Sequence, residues 1–361
     1  MTPQVESFAR QARKFVDAHI APEIDAWEAA GAYPLALAER AGAAGLLSLG
    51  GPSARVPRDP HAIAALIREL ARCGSHGVAV GLTAHLVSLA ALAGGPADLL
   101  AELAPTILEG RATIALAVTE PSTGSDLSAI ETTARATSDG YTISGVKSFV
   151  CNGSRADWLV VFAREEASAG LFLVDGRDRG MTSEAMACVG WRSIPLANLR
   201  FDNVAARRLT NPGAGKRMLA EMLLQERLNL AVLASASTDL ALSVTVAHCK
   251  RRCVGGAPLF QKSAVRQRLA ERYVEAFCAR TVVDDAVERH ASGQLDASGA
   301  ALAKNAAVDV LARIADEAVQ LHGAIGCIVP SLVERIWRDA RILSIGGGAR
   351  EVMLEIIARK L

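Results

Sequence analysis

Aromatic residues are scarce in this sequence: eight Phe, four Trp and three Tyr make up 4% of its 361 residues. Ala, Leu and Val must therefore fill the interior, and Ala and Leu favour helix over sheet. An excess of one charge is missing too, since 39 Lys and Arg stand against 38 Asp and Glu. With a hydrophobic fraction of 51%, this balance excludes a disordered chain and argues against nucleic acid as the main partner.

Motifs for metals, disulfides and nucleotides are also missing. The seven cysteines are scattered and none forms a Cys-x-x-Cys pair, so the sequence predicts neither a metal site nor a disulfide framework. No Gly-x-Gly-x-x-Gly follows a strand, and the P-loop pattern is absent. These absences argue against Rossmann and P-loop nucleotide binding and suit a reducing compartment.

Signals for export or membrane insertion are weak. The first fifteen residues carry charges and lack an apolar secretory region. Residues 77–95 are the most apolar stretch, but Thr83, His85 and Ser88 interrupt it, which favours a buried core helix over a membrane span. We expect a cytoplasmic protein with no membrane span.

Three zones differ in pattern and predict three domains. Residues 1–108 hold Ala-, Leu-, Glu- and Arg-rich segments broken by Gly and Pro, as at residues 57–60, and indicate helices. Residues 109–207 hold short β-branched segments between turn residues and predict strands. Residues 208–361 return to long helices. This order is not the strand–helix alternation of a doubly wound fold.

Individual segments carry these predictions. The predicted strands are ATIALAVT, YTISGVKSFV, DWLVVFAR and AGLFLVD. In the last zone an apolar face repeats at three- and four-residue steps, formed by Leu311, Ile314, Ala318 and Leu321. Gly323 offers a stop for that helix.

Two polar segments at strand ends are candidate ligand sites. Residues 119–126 pack hydroxyls and backbone amides into a turn after a strand, which suits a ligand with carbonyls or phosphates. An ordinary polar turn explains the pattern equally well. Residues 147–153 form a strand that ends in a turn, and alternation would put Phe149 and Cys151 on one face, unless that strand simply faces the core.

A charged pair inside an apolar helical run is a candidate catalytic group. Glu226 and Arg227 are surrounded by the leucines at positions 223, 224, 228 and 230. A carboxylate among aliphatic side chains has a raised pKa, which suits a general base near neutral pH. A surface ion pair on the polar face of the helix is the alternative.

The C-terminal region holds a glycine run. Residues 346–348 are three consecutive glycines, bare enough for the close approach of a ligand. Nearby, we expect His322 to be a hydrogen-bonded histidine at a helix end, and Arg338 and Asp339 to form a structural ion pair.

Together these segments resemble the flavin-dependent acyl-CoA dehydrogenase family over essentially the whole chain. The matching motifs are FVDAHIAPE at residues 15–23, AVTEP and GSD within residues 117–126, GWRS at residues 190–193, and RDARI at residues 338–342. The resemblance implies an α+β, mostly α fold. It has an N-terminal helical domain, a small middle β-barrel domain and a C-terminal four-helix bundle.

The resemblance also implies an FAD site between the domains and across a subunit interface. Residues matching Leu116, Val118, Thr119 and Ser125 line the flavin and its phosphates, and those matching Phe149 and Cys151 flank the isoalloxazine ring. Residues matching Arg252, Gln320 and Gly323 reach the FAD of a neighbouring subunit. Glu351 is a further residue that we expect to contact the cofactor. Because these FAD contacts come from two subunits, we expect a homodimer or a homotetramer.

The family's usual catalytic base is absent. Its aromatic-Glu-Gly-Thr motif reads Gly346-Gly347-Gly348-Ala349 here, so Gly347 stands where that Glu would be. In a subgroup resembling isovaleryl- and long-chain acyl-CoA dehydrogenases the base lies on an earlier helix, and Glu226 falls on that position. The backbone N–H matched by Gly347 would still serve the thioester oxygen, and Ser125, Arg227 and Gly346 are the expected substrate contacts.

Other departures mark a specialised member. Cys151 stands where a Thr hydroxyl usually bonds the flavin, and a thiol is a weaker donor. The Arg252–Pro258 segment has lost the family's aromatic, and the chain is shortened around residues 50–60.

Three hypotheses follow. The first is FAD-dependent α,β-dehydrogenation of an acyl thioester carried on CoA or on an acyl-carrier protein, with electron-transfer flavoprotein or oxygen as acceptor. The second is a flavin oxidase or monooxygenase on the same fold that uses oxygen, motivated by Cys151 and by the opened pocket. The third is a flavin-binding scaffold without a base, motivated by Gly347.

Overall fold

The computed structural model describes residues 2–51, 59–166 and 168–361. Helices occupy both ends of the chain and strands the middle, which confirms the α+β, mostly α fold class. Part of the predicted break at residues 57–60, and most of the shortened segment at residues 50–60, lie outside the described residues.

The N-terminal region is made of helices. They are Pro3–His19 (α1), Ile24–Ala30 (α2), Ala36–Ala43 (α3), Pro60–Ala71 (α4), His76–Ala93 (α5) and Ala97–Leu108 (α6). Thr2 begins α1 by accepting a hydrogen bond from the Val5 N–H, and Pro3 occupies the first turn, where no N–H is needed. Asp59 and Pro60 begin α4 in the same way.

The C-terminal region is a bundle of helices, three of them long. They are Gly215–Arg251 (α7), Ser263–Ala291 (α8), Ala297–His322 (α9), Leu332–Leu343 (α10) and Arg350–Ala358 (α11). The predicted apolar face of α9 is buried, and Gly323, at φ +66°, ends the helix as expected. By length and composition alone α5 and α7 could cross a membrane, but most of each apolar window is buried inside the fold.

The middle region is a small closed barrel. Its strands are Ile114–Ala117 (β1), Thr133–Thr137 (β2), Gly140–Cys151 (β3), Trp158–Arg164 (β4), Ala169–Asp175 (β5), Met181–Met186 (β6) and Leu196–Arg208 (β7). Pairing runs from β4 through β2, β3, β7 and β5 and returns to β4, which leaves the ring without a free edge. β1 pairs with β4 and β6 pairs with β7. A two-stranded ribbon, Cys253–Val254 (β8) with Ala257–Pro258 (β9), follows α7.

Burial on both faces explains why β4 and β5 are continuous apolar runs. One face fills the barrel with Leu159, Val161, Phe172 and Val174. The other packs on the helical region through Val160, Phe162, Leu171 and Leu173. The pattern differs from the usual alternation of antiparallel strands because the helices cover the outer face. β6 is the opposite case, since its side chains face solvent and its polar sequence gave no strand signal.

A buried arginine joins the two helical regions. Arg338 on α10 donates through Nη2 to Glu28 on α2 at 2.6 Å and through Nε to Glu334 at 2.8 Å. Ser75, before α5, donates to the other Glu28 oxygen at 2.6 Å. These hydrogen bonds, with the guanidinium, hold the pKa of Glu28 below its usual value despite its burial.

The neighbouring Asp339 extends this network to the barrel. Its carboxylate accepts hydrogen bonds from the backbone N–H of His76 at 2.9 Å and of Trp191 at 2.6 Å. Arg338 Nη1 lies 3.6 Å from Asp339 Oδ1, so the expected ion pair is present as part of a larger cluster. All three regions of the chain therefore meet at the middle of α10.

Removing the arginine should destabilise the whole protein. Arg338→Met leaves the Glu28 and Asp339 carboxylates buried without their cation, and we expect a loss of about 3–5 kcal/mol in the free energy of unfolding. Arg341→Met, at an exposed position of the same helix, is the control and should stay within about 0.5 kcal/mol. Urea unfolding measures both, and a loss below about 1 kcal/mol for Arg338→Met would contradict the network's role.

Candidate active site

Glu226 and the glycine run lie side by side. A Cβ atom at residue 347 would lie 3.9 Å from both Cγ and Cδ of Glu226 and 2.7 Å from Cδ1 of Leu230. Gly347 has φ +67° and Gly348 has φ +111°, where side chains are strained. A side chain at 347 would therefore meet both strain and a clash, and the partly buried Glu226 carboxylate lies in the space beside it.

Glu226 is partly buried and lies near two cations. Burial raises the pKa of Glu226, while the cations Arg227 and Lys304 oppose that rise. Burial and the negative charge of Glu226 raise the pKa of the Cys151 thiol to about 12. Cys151 on β3 is therefore a neutral thiol close enough to Glu226 to interact with its charge.

Two cations hold the carbonyl groups of the glycine run. Arg227 Nε donates to the Gly347 carbonyl at 3.1 Å, and Lys304 Nζ on α9 donates to the Gly348 carbonyl at 2.5 Å. Among the described residues, the Gly347 N–H donates to no protein acceptor, so it is free for a ligand oxygen. Sequence reasoning named Arg227 but missed Lys304, whose one signal is a lysine inside the alanine-rich apolar segment AALAKNAAV.

Gly346 differs from its two neighbours. A Cβ atom there would meet only Trp191 Cη2 and the Ile342 carbonyl, each at an ordinary 3.5 Å. The backbone would therefore accept a side chain, and its absence leaves room beside the Trp191 ring. The Trp191 Nε1–H is buried and finds no partner in the described part of the chain.

A second cluster of predicted residues lies at the end of the barrel. Phe149 sits at a bulge in β3 with φ +58° and a side chain 58% exposed, so the bulge interrupts the alternation expected for residues 149 and 151. The bulge is tied to the end of β1: the Ser148 N–H donates to the Thr119 carbonyl and Lys147 Nζ to the Val118 carbonyl, both at 2.8 Å.

The turn after β1 offers unpaired donors next to apolar surface. The N–H groups of Gly124 and Ser125 donate to no protein acceptor among the described residues, and Ser125 is exposed. Leu116 and Val118 are only partly buried beside it. Free amides suit phosphate oxygens, and an exposed aromatic with an apolar wall suits a flat ring system.

A third cluster lies at the far end of α7. Arg252 follows the last turn of that helix, 26 positions after Glu226, which corresponds to about 39 Å at about 1.5 Å per residue. The rings of His248 and His322 stack with centroids 4.1 Å apart, which brings Gln320 and Gly323 to the same end. His322 Nδ1 lies 2.7 Å from the Ala318 carbonyl, as expected for a hydrogen-bonded helix-end histidine. This exposed cluster is thus separate from the Glu226 site of the same chain.

Family models match the chain in three consecutive pieces. They are the acyl-CoA dehydrogenase N-terminal domain over residues 2–111, the middle domain over residues 115–204 and the C-terminal domain over residues 213–361. The chain belongs to the acyl-CoA dehydrogenase family. Members are FAD-dependent flavin oxidoreductases that act on CH–CH bonds of acyl thioesters.

Individual relatives agree with this assignment. The mitochondrial long-chain specific acyl-CoA dehydrogenase of Sus scrofa is 29% identical, with 98% of this chain and 85% of the relative covered. Among solved structures, a probable acyl-CoA dehydrogenase from Mycobacterium abscessus matches at TM-score 0.96 and 30% identity, covering 100% of this chain and 99% of that one. Butyryl-CoA dehydrogenase from Megasphaera elsdenii matches at TM-score 0.93 and 26% identity, covering 100% and 98%.

The cluster near β1 and the neighbouring Trp191 fit the family's cofactor. Unpaired amides at Gly124 and Ser125, the exposed Phe149 ring and the unpartnered Trp191 Nε1–H offer contacts for the phosphates and the polar and apolar edges of FAD.

The Phe149 ring provides a direct test of this fit. Phe149→Ala should raise the dissociation constant for FAD roughly tenfold, because a stacking surface is lost, while the unfolding temperature of the apoprotein stays unchanged since the ring is exposed. Leu35→Ala, which removes another exposed apolar side chain, should change neither quantity. Flavin fluorescence titration measures the affinity, and an unchanged FAD affinity in Phe149→Ala would show that the ring does not contact the cofactor.

Proposed function

We propose that this enzyme dehydrogenates an acyl thioester between Cα and Cβ, with Glu226 as the base that removes the α-proton. One observation carries the assignment. The Glu226 carboxyl carbon lies 3.9 Å from where Cβ of residue 347 would be. By the family resemblance, residue 347 corresponds to the usual position of the base. A carboxylate reaching from α7 thus lies beside the site of the missing one.

The environment of Glu226 suits proton abstraction. Burial raises its pKa and so its basicity, while Arg227 and Lys304 favour the charged form that a base needs. The α-proton moves to the Glu226 carboxylate as negative charge develops on the thioester oxygen. The free Gly347 N–H is the protein donor available to stabilise that oxygen.

Bound FAD supplies the acceptor for the β-hydride in this chemistry. Residues proposed to hold the cofactor in the same chain are Leu116, Val118, Thr119, Ser125, Phe149 and Cys151. Support comes from the free amides of the 124–125 turn and the exposed Phe149 ring. Glu351, exposed in the first turn of α11, stays a prediction from the resemblance.

The acyl group we propose is branched or bulky. Gly346 carries no side chain next to Trp191, although its backbone would accept one, so that space is left to the substrate. Two relatives named for bulky acyl groups support this: cyclohexane-1-carbonyl-CoA dehydrogenase from Geobacter metallireducens, 30% identical over 82% of this chain, and benzylmalonyl-CoA dehydrogenase from Aromatoleum aromaticum, 29% identical over 99%. Ser125 and Arg227 complete the proposed substrate contacts.

The carrier of the acyl group is CoA or the arm of a carrier protein. A relative named acyl-(acyl-carrier-protein) dehydrogenase from Mycolicibacterium paratuberculosis is 28% identical over 92% of this chain, which keeps the second choice open. Anaerobic flavin bleaching with CoA-linked and carrier-linked forms of one acyl group separates them. We propose a cytoplasmic enzyme that passes electrons to an electron-transfer flavoprotein.

A flavin oxidase or monooxygenase is the second candidate. The neutral Cys151 thiol, in place of the usual hydroxyl, gives the flavin a weaker hydrogen-bond donor. Stoichiometric peroxide formation during turnover would favour this function over the dehydrogenase.

Glu226→Gln tests the base. The rate of flavin reduction by substrate should fall on the order of 10³-fold because the proton acceptor is lost, while FAD binding is kept. Glu221→Gln, an exposed carboxylate on the same helix, should retain the wild-type rate. Stopped-flow absorbance under anaerobic conditions gives the rate, and a Glu226→Gln rate within tenfold of wild type would leave the base-free scaffold as the better description.

We further propose a homodimer or homotetramer in which Arg252, Gln320 and Gly323 contact the FAD of a neighbouring subunit. Arg252 is about 39 Å along α7 from Glu226, so it is far from the base of its own chain. Its exposed position is compatible with a contact made across an interface.

Mixed oligomers test this arrangement. Glu226→Gln and Arg252→Gln chains carrying different tags are co-expressed and the hybrid is purified. In the hybrid, the site with an intact Glu226 receives an intact Arg252 from its neighbour, so one site in two should regain full FAD affinity and activity. Arg251→Gln serves as the matched control that should need no rescue. Absence of rescue in the hybrid would place Arg252 in its own chain's function.

A further inference from the structure

Lys304 is a buried lysine without a carboxylate partner. Its side chain is 0% exposed, and within the described residues no Asp or Glu forms an ion pair with it. Its Nζ makes one hydrogen bond, to the Gly348 carbonyl at 2.5 Å. Burial lowers the pKa of the Lys304 ammonium to about 8, even though the Glu226 charge opposes that shift. A buried cation with one neutral acceptor is costly for stability, so its presence calls for a role other than stabilising the fold.

We infer that Lys304 is a positioning residue for the reaction: it fixes the Gly347–Gly348 peptides so that the Gly347 N–H faces the thioester oxygen next to Glu226. This inference rests on the proposed function. It concerns a residue on α9 that touches neither substrate nor cofactor and acts through the glycine run.

The geometry favours this role because the glycine run cannot position itself. Gly347 and Gly348 adopt positive φ and have no side chains of their own that could anchor their peptides. Arg227 from α7 and Lys304 from α9 instead hold two successive carbonyl groups, at 3.1 Å and 2.5 Å. Because Arg227 and Lys304 hold these two carbonyl oxygens, the orientation of the Gly347 N–H is fixed, and this N–H remains unpaired.

The chain that follows the glycine run is also hydrogen-bonded to α9. Asn305, the next residue on α9, donates through Nδ2 to the Arg350 carbonyl at 3.1 Å. The Arg350 N–H donates to the Ser344 carbonyl at 3.0 Å, which closes the turn. Lys304 and Asn305 together couple the path of residues 344–350 to α9.

Lys304 also acts on Glu226 through its charge. The titratable groups facing Glu226 among the described residues are Arg227 on α7, Lys304 on α9 and the neutral Cys151 thiol on β3. The two cations lower the pKa of Glu226 against the effect of burial. Removing one cation raises that pKa, so a higher pH is needed to ionise the base, and the acid limb of the kcat/KM profile moves to higher pH.

The test compares variants at 304 in the FAD-loaded enzyme. Lys304→Met removes donor and charge, and Lys304→Gln removes the charge while keeping a donor. Lys262→Met, at an exposed position, is the control. For Lys304→Met we expect kcat to fall at least tenfold with KM within threefold, because the contact acts mainly in the transition state. The acid limb of the kcat/KM profile should move to higher pH by at least half a pH unit.

Two results would overturn the inference. One is a Lys304→Met enzyme with a lower unfolding temperature but wild-type kcat and a wild-type acid limb, which is the pattern of a purely structural lysine. If Lys304→Met does not fold, Lys304→Gln decides: a raised acid limb supports the role and an unchanged one rejects it. Glu226→Gln separates this failure from that of the proposed function. If Glu226→Gln still reduces the flavin at the full rate, Glu226 is not the base, whatever the result at Lys304. If Glu226→Gln loses flavin reduction while Lys304→Met behaves as wild type, only the role of Lys304 is refuted.

Discussion

The buried guanidinium of Arg338 is the contact on which the arrangement of the three regions depends. It neutralises Glu28 from the first helices, and the adjacent Asp339 carboxylate receives N–H groups from α5 and from the loop before β7. These groups are out of water, so each needs the others as partners. The network fixes α10, and α10 leads within a few residues into the glycine run beside Glu226. The geometry of the candidate site therefore begins with an ion cluster that takes no part in chemistry.

The position of the carboxylate and the form of the loop depend on each other. With Glu226 reaching from α7, a glycine suits residue 347, because its φ of +67° strains any side chain and a Cβ atom there would displace the Leu230 methyl. A bare loop in turn needs outside support, which it receives from Arg227 and Lys304. The helix-borne base, the three glycines and the two cations are best understood as one unit.

Much of this could be predicted from the sequence. The three zones, four of the barrel strands and the buried face of α9 followed from periodicity and turn residues, and the motifs added the family. β2 and β6 gave no clear signal because most of their residues face solvent, and β7 was not predicted although buried and exposed residues alternate along it. Lys304 was missed because a single lysine in an alanine-rich helix looks like a surface residue, and only its contact with the distant Gly348 carbonyl reveals its burial. The bulge at Phe149 likewise needs long-range pairing with β7, which alternation in one strand cannot show.

The length of α7 has a thermodynamic consequence. One rigid helix carries Glu226 near one end and Arg252 just beyond the other, and in our proposal these serve different cofactors. Each bound FAD would then contact two chains, so its binding energy would also hold the chains together. Loss of cofactor and separation of subunits would be linked equilibria, with protein concentration and FAD concentration acting on the same population of assembled enzyme.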